Sequence, residues 1–252
     1  MGKKGGRQHL KRKPAPRFWP IHRKEYIWAI KPTPGPHAEA ASLPLASVVR
    51  DILGYARTKK EAKTIISQGK ILIDGHIRNE ESFPVGLMDV ISIPDAGENF
   101  RVLSGQNGLM LHPIEPAEST LKLCRIEDKT TVSHGSVQLN LHDGTNMLIT
   151  VEDPKNPSED LYETLNVLQI TLPDREITGQ LKLAKDAVAL ITGGQNRGIH
   201  GKIVDIEESS EKKRWARLAT IEDATGKRFQ TILDFIFPVG DAEKTISLPE
   251  VK

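Results

Sequence analysis

The first 31 residues hold ten lysines and arginines against a single acid, Glu25, whereas the remaining 221 residues hold 25 basic and 32 acidic ones. A formal charge of +2 for the whole chain therefore hides a cationic leader on a mildly acidic body. Such a leader, self-repelling and poor in apolar residues, cannot repay its own ordering entropy, so alone it is expected to be disordered and to fold only against a polyanion. Nucleic acid is the polyanion that fits best, because each neutralised phosphate releases condensed counterions. The candidate contacts are Lys3, Lys4, Arg7, Lys11, Arg12, Lys13, Arg17, Arg23 and Lys24. A nuclear-localisation run is the plainer reading of such a stretch. A membrane-surface helix is disfavoured: the cations follow no amphipathic face, and the prolines of "KPAPRFWPIH" break any helix. Phe18, Trp19, Tyr26 and Trp28 lie among these cations and can either stack on bases or pack into a neighbouring unit. Trp19 is placed in the RNA-binding set, and packing is expected for Tyr26 and Trp28. "KPTPGPHAEAAS", residues 31–42, reads as a stiff connector.

At 252 residues and 38% hydrophobic content, the body suits two or three small domains strung as beads better than one large core. A single cysteine, Cys124, excludes an internal disulfide and a cysteine-based zinc site and fits a reducing compartment. No apolar run reaches the roughly 18 residues of a spanning helix, and no secretory leader is visible, so a cytoplasmic location is expected.

The first unit begins at "LPLASVVRDILGYARTKKEAKTIISQGKILIDGHIR". Val48, Val49, Ile52 and Leu53 form an apolar stripe at helical spacing, with Pro44 before it and Gly54 as a stop. Thr58 and Glu61 make a capping box for a second helix that buries Ala62, Ile65 and Ile66 and ends at Gly69. Lys59, Lys60 and Lys63 share one arc of that helix, Arg57 stands at its entrance and Lys70 follows its end. Asp74-Gly75 then marks a hairpin. Lysines on one helix face are often only solvated, but these follow a polycationic arm.

"LITGGQNRGIHGKIVDI", residues 190–206, packs its glycines between aliphatic residues. It is not a P-loop: Asn196 stands where the first glycine belongs and Ile203 where a magnesium-binding hydroxyl belongs. The dinucleotide fingerprint fails as well, because β-branched residues rather than a helix follow. The run reads as strand, glycine turn, strand, with Gly193-Gly194 and Gly198 able to take positive φ and Asn196, Arg197, His200 and Lys202 projecting.

Between the two lies a β-rich stretch with Val137, Leu139 and Leu141 alternating and an Asp143-Gly144 turn. A metal set drawn from His134, His142, Asp143 and Asp153 lacks ligand spacing. No catalytic residue, metal or cofactor is therefore expected. The enzyme alternative is a pseudouridine synthase, since "LHDGTNMLI" faintly resembles its catalytic loop with Asp143 as nucleophile, although one residue too short and without the preceding arginine. A second alternative is a transcription elongation factor with a KOW motif.

"LGYARTKKEAKTIISQGKILIDG" resembles the helical RNA-binding motif of the S-four domain. Together with "APRFWPIHRKEYIWAIKPTPGPH", "LPLASVVRDIL", "FPVGLMDVISIP" and the glycine run, it makes the chain similar, over nearly its whole length, to the archaeal and eukaryotic type of small-subunit ribosomal protein four, the S-four-e family. The resemblance implies a non-enzymatic constituent of the small ribosomal subunit, with ribosomal RNA and neighbouring ribosomal proteins as partners and no membrane or small-molecule substrate. It implies that Arg57, Lys59, Lys60 and Lys63 face RNA, and that Gly194, Asn196, Arg197 and Gly198 form a KOW turn. The fold class expected is α+β, multi-domain and mostly β: a basic extension (1–36), an S-four-like domain (37–100), a central β domain (101–182), a KOW SH3-like barrel (183–240) and a mobile tail (241–252). The family's usual Gly-Asp before the last strand of the first domain is Met88-Asp89 here, so that turn is expected to be shaped differently.

Overall fold

A computed structural model describes residues 9–151, 161–207, 217–241 and 243–249. Lys3, Lys4, Arg7 and Asp153 lie outside the described residues.

From Leu10 onward the leader is folded on the protein itself, contrary to the expectation from its charge. Strand β1 (Leu10–Lys11) pairs antiparallel with β2 (Trp28–Ala29). Two guanidinium groups satisfy the carbonyls between them. Arg12 donates from Nε to Trp28 O at 3.1 Å and also to His22 O. Arg23 donates to the carbonyls of Arg12, Lys13, Ala15 and Pro16 at 2.8–3.1 Å. A planar fork with five donors can do this where strand partners are missing. Leu10, Ala15, Trp19 and Ile30 meanwhile enter one core with Leu43, Leu45, Val48 and Ile66. The leader's apolar residues are thus placed on a surface that the body provides.

That body starts with β3 (Ser42–Pro44) and α1 (Leu45–Ser47), which runs on into one wide helical turn, Val48–Ile52, where the Leu53 amide reaches back to Val48 O. Helix α2 (Lys59–Ser67) follows. Its N-cap Thr58 accepts the Glu61 amide at 3.2 Å while the Glu61 carboxylate accepts the Arg57 amide at 2.9 Å, so two otherwise orphaned donors are satisfied. Strands β4 (Leu72–Ile73) and β5 (His76–Ile77) are joined by Asp74-Gly75, with φ of 53° and 76°, a two-residue turn that matches strand twist. Then come β6 (Pro84–Gly86), β7 (Val90–Ile93), β8 (Glu98–Gly105) and β9 (Gly108–Pro113). β3 pairs with β6, and the others form a sheet ordered β5-β4-β7-β8-β9. A boundary at residue 100 cuts β8, whose ladders with β7 and β9 carry the sheet on to Pro113. At the altered Gly-Asp position Met88 takes φ 67°, the left-handed conformation that a glycine would adopt freely, with its side chain fully buried.

The middle unit comprises β10 (Leu121–Thr131), β11 (Val137–Leu141), β12 (Asn146–Ile149), β13 (Val167–Thr171) and β14 (Ile177–Leu181), ordered β12-β11-β10-β13-β14. Val137, Leu139 and Leu141 all point inward, as their alternation requires. The last unit comprises β15 (Val188–Ile191), β16 (His200–Ile206), β17 (Leu218–Glu222), β18 (Arg228–Ile232) and β19 (Ile236–Gly240). Its order, β18-β17-β16-β15-β19, leaves β18 and β19 as edges of an antiparallel sheet, not partners closing a hydrogen-bonded ring.

These units are not beads. Met88 and Leu103 of the first, Leu123, Val167 and Leu181 of the second, and Val188, Leu190, Phe237 and Val239 of the third share a single apolar cluster. Ile246 of the expected mobile tail is buried in that cluster, and Ser247 is held by Glu118. Beside it lies an ionic centre. The Lys122 ammonium on β10 sits 2.6 Å from Asp74, 2.7 Å from Asp89 and 3.2 Å from Asp143. His37, from the expected connector, closes on Asp89 at 3.0 Å. The connector is docked, not spanning: a Cβ on Gly86 would lie 2.3 Å from the His37 ring, so glycine there makes the approach possible.

Candidate nucleic-acid interface

Arg57, Lys59, Lys60 and Lys63 all stand exposed at the start and along the outer face of α2, because Ala62 and Ile66 turn the opposite face into the core. Lys59 lies 3.1 Å from Glu81, and Lys70, also exposed, 3.2 Å from Asp95. Glu61 is spent on the cap: the Arg57 amide and the Thr58 hydroxyl hold its carboxyl below the usual range. In the leader the cations divide by type. Lys11, Lys13, Arg17 and Lys24 are exposed. Arg12 is instead buried, and the guanidinium of Arg23 is engaged by four carbonyls. Contrary to the expectation from charge, the Arg12 fork is turned into the protein, and half-buried Arg23 spends both terminal nitrogens on backbone carbonyls.

The aromatic residues are distributed in the reverse of the expected way. Trp19 is only 4% exposed and its indole N–H donates to Ser42 O at 2.8 Å, so it is a core residue and cannot stack on a base. Tyr26, Ile27 and Trp28 are 65%, 67% and 55% exposed. The two-residue strand β2 belongs to a two-stranded ribbon, and the neighbours that Tyr26 and Trp28 meet there, Arg12 and His9, leave both rings largely exposed. They border a groove of about 990 Å³ whose other wall is Arg57, Thr58 and Lys59. The start of α2 and the leader thus face each other across one hollow.

In the glycine run, Gly194 and Gly198 take φ of 78° and 85°. Gly193 does not; it is needed for contact, since a Cβ there would lie 2.6 Å from the Phe235 ring. Asn196 donates weakly to Gln230 O at 3.4 Å, and Lys202 is exposed. Arg197 is half-buried, with its Nε lacking a hydrogen-bond partner. His200 does not project: it is buried, with Nε2 2.9 Å from Lys244 Nζ, and burial together with that ammonium holds its pKa below the ordinary value. The loop is braced from outside its own sheet. A Cβ on Gly198 would meet the backbone of Gly105 at 2.9 Å, and Gly198 shares a hollow with Arg17 and Phe18 of the leader.

Asp143 is not an accessible nucleophile. It is 3% exposed, forms the β11–β12 turn, and accepts from the Thr145 amide and hydroxyl at 3.1 and 2.5 Å. Burial would raise its carboxyl, but Lys122 and the protonatable His142 outweigh that and bring it down to about 2. Burial takes His142 itself down to about 4. Among the described residues no three His, Cys, Asp or Glu side chains gather into a metal-binding set; the Lys122 ammonium occupies the space between the carboxylates. Sequence patterns did not point to the ionic centre, and for Tyr26 and Trp28, which could stack or pack, they favoured packing where the structure leaves both exposed. The two tryptophans nine residues apart signalled only that one aromatic role existed, not which residue held it.

Family models match in three consecutive stretches: an RS4NT domain over residues 4–40, an S4 domain over 43–91, and the ribosomal family S4e over 96–177. The chain is 51% identical over 251 residues to small ribosomal subunit protein eS4 of Aeropyrum pernix, covering 99% of this chain and 98% of that one. It is 45% identical to the protein of the same name from Methanocaldococcus jannaschii, with 98% and 100% covered. The crystal structure of ribosomal protein S4e from Thermoplasma acidophilum superposes with a TM-score of 0.65 at 28% identity, covering 80% of this chain and 96% of that one. Full-length identity of this order, in a chain whose helical unit carries an exposed row of cations, leads to one conclusion: the chain belongs to the eS4 family of small-subunit ribosomal proteins.

Proposed function

We propose that the protein is a structural constituent of the small ribosomal subunit that binds ribosomal RNA and supports its folding, and hence translation, at the ribosome in the cytoplasm. The observation that carries this reading is the set of exposed cations, Arg57, Lys59, Lys60 and Lys63 on α2 of the unit that matches an S4 domain, and Lys11, Lys13, Arg17 and Lys24 on the leader that packs against that unit's core. Cations at this density suit phosphate contacts, which position a protein on folded RNA without reading bases. The last sheet acts as an SH3-like KOW module, with Gly194, Asn196, Arg197, Gly198 and Lys202 at its RNA-facing turn; the positive φ of Gly194 and Gly198 supports this. Exposed Lys70 adds to this basic surface, Lys3, Lys4 and Arg7, outside the described residues, add three further cations for phosphate contacts, and neighbouring ribosomal proteins complete the environment. The shared apolar cluster fixes the modules relative to one another, so RNA meets one rigid body rather than three tethered ones.

The test is binding to small-subunit ribosomal RNA across a salt series. Replacing Lys11, Lys13, Arg17 and Lys24 together with glutamine should lower the slope of log K against log salt by roughly 0.7–0.9 for each phosphate no longer neutralised. The melting temperature should stay within about 2 °C, since all four are exposed. An unchanged slope removes the leader from the interface. Failure of the unaltered protein to co-migrate with small subunits on a density gradient would remove the function itself.

A further inference from the structure

We infer that the groove between the leader and the start of α2 is a seat for an unpaired nucleotide of the RNA, with the base stacked on Trp28 or Tyr26 and its phosphates on Arg57 and Lys59. This rests on the RNA-binding reading above and goes beyond it, because binding to phosphate alone needs no aromatic surface. Three consecutive large side chains, Tyr26, Ile27 and Trp28, are each more than half exposed, the last of them opening a strand that has only one partner. Scattered exposed hydrophobics need no explanation, but a contiguous set against cations does. Trp28 and Lys59 both line two hollows, of about 990 and 470 Å³. A base stacked on the indole in either hollow therefore shares it with an ammonium.

Charge decides the class of occupant. The acids in the larger groove are Glu25 and Asp51, and Asp51 is already neutralised by the Arg50 fork at 2.7 and 2.8 Å. Arg12 lies 4.9 Å from the centre of the Tyr26 ring, and His9 lies 5.5 Å from Trp28 at a tilt of 52°, so both rings are already oriented by a neighbour. Pre-oriented rings flanked by Arg57 and Lys59 match a ligand with a π-face and an anionic backbone, the description of single-stranded nucleic acid. Lys59 already pairs with Glu81 at 3.1 Å, but an apolar protein helix would bring no anion to Arg57 or to the remaining donors of that ammonium.

The experiment compares the full chain with Trp28→Ala, Tyr26→Ala and Arg57→Gln/Lys59→Gln for binding to small-subunit ribosomal RNA and to a fully duplexed RNA of equal length, each across a salt series. We expect Trp28→Ala to weaken binding to ribosomal RNA about tenfold with an unchanged salt slope, because the variant gives up stacking and keeps every phosphate partner. Trp28→Phe should restore most of it, and binding to the duplex should not change. The double cation variant should instead lower the slope. If Trp28→Ala leaves ribosomal RNA affinity unchanged while the cation variant lowers it, the RNA-binding function stands and the stacking seat is overturned. The stacking seat is equally overturned if Trp28→Ala impairs only joining of the protein to subunits already carrying their other proteins, since the patch then faces a protein. If the unaltered protein binds neither RNA at low salt, the broader function fails with it. A melting curve of each variant checks folding.

Discussion

Replacing Lys122 with methionine tests what holds the first and middle units together. The substitution keeps the length and much of the apolar stem of the side chain but removes the ammonium that faces Asp74, Asp89 and Asp143 at 2.6, 2.7 and 3.2 Å. The carboxylates keep other donors: Val90 N–H for Asp74, Gly86 N–H and His37 for Asp89, and Thr145 for Asp143. None of the backbone donors carries a full charge, so buried negative charge is left uncompensated. Breaking a buried pair in this way costs about 3–5 kcal/mol, and at this chain length each kcal/mol is worth about 2–4 °C, so the melting temperature should fall by roughly 6–20 °C. The pH dependence gives the sharper readout. In the unaltered protein burial acts to raise Asp89 and Asp143, but Lys122 acting together with His37 and the Gly86 amide on Asp89, and with His142 and Thr145 on Asp143, outweighs it, and both stay below the ordinary carboxylate value. Their stabilising contribution is present above the unfolded pKa of about 4 and is lost as pH falls through the depressed folded values. Without Lys122 the folded pKa values rise, and protonation relieves the variant as acid is added. The gap between the two proteins, measured by calorimetry, should therefore narrow from pH 7 to about pH 4. A gap that widens on acidification, or a shift below about 2 °C at pH 7, would refute the argument that the ammonium compensates these acids.

Three further substitutions test other parts of the fold. Burial acts to lower His37, but the charge and hydrogen bond of Asp89 overcome it and raise its pKa above the usual 6.5. Its stabilising charge is complete below about pH 6.5 and lost as pH rises through the raised value, so the stability of the unaltered protein should fall with rising pH there; His37→Gln should flatten that fall in a calorimetric pH series. Gly198→Ala places a Cβ 2.9 Å from the Gly105 backbone at φ 85°, and strain plus overpacking should cost about 2–4 kcal/mol in chemical denaturation. Met88→Gly relieves about 1–2 kcal/mol of left-handed strain but empties a fully buried site worth about 2–5 kcal/mol, so a net loss of about 1–3 kcal/mol is expected in the same assay, and a gain in stability would show that strain dominates.

What was legible in the sequence was local. The Thr58–Glu61 capping box, the stops at Gly54 and Gly69, the Asp74-Gly75 turn and the alternation of Val137, Leu139 and Leu141 each depend on residues within a few positions of one another, and each has its expected conformation. The exposed arc of Lys59, Lys60 and Lys63 follows from the same short-range geometry, because burying Ala62 and Ile66 fixes where the intervening residues point. What was not legible depends on partners far along the chain. Asp74, Asp89, Lys122 and Asp143 come from turns and strands that lie far apart in sequence, and no spacing rule joins them. The same holds for Ile246, buried by residues from three units.

The leader shows why a charge count misjudged its folding. A count treats every cation as a solvated point that repels its neighbours, and for Lys11, Lys13 and Lys24 that is adequate: all three are exposed. Arginine adds a second capacity, because its fork can saturate carbonyls that irregular backbone leaves without partners. Arg12 and Arg23 between them take up the carbonyls of six residues, from Arg12 to Trp28, in a segment where Pro14, Pro16 and Pro20 rule out a regular ladder for much of its length. The repulsion is reduced further because these two arginines are turned inward and the lysines outward. With the backbone satisfied, Leu10, Ala15, Trp19 and Ile30 suffice to seat the segment on the body. Seating Trp19 beneath Ser42 O in turn leaves Tyr26 and Trp28 at the surface beside Arg57 and Lys59. The arginines that composition assigned to RNA thus act one step earlier, holding in place the aromatic surface and the lysines that are free to meet it.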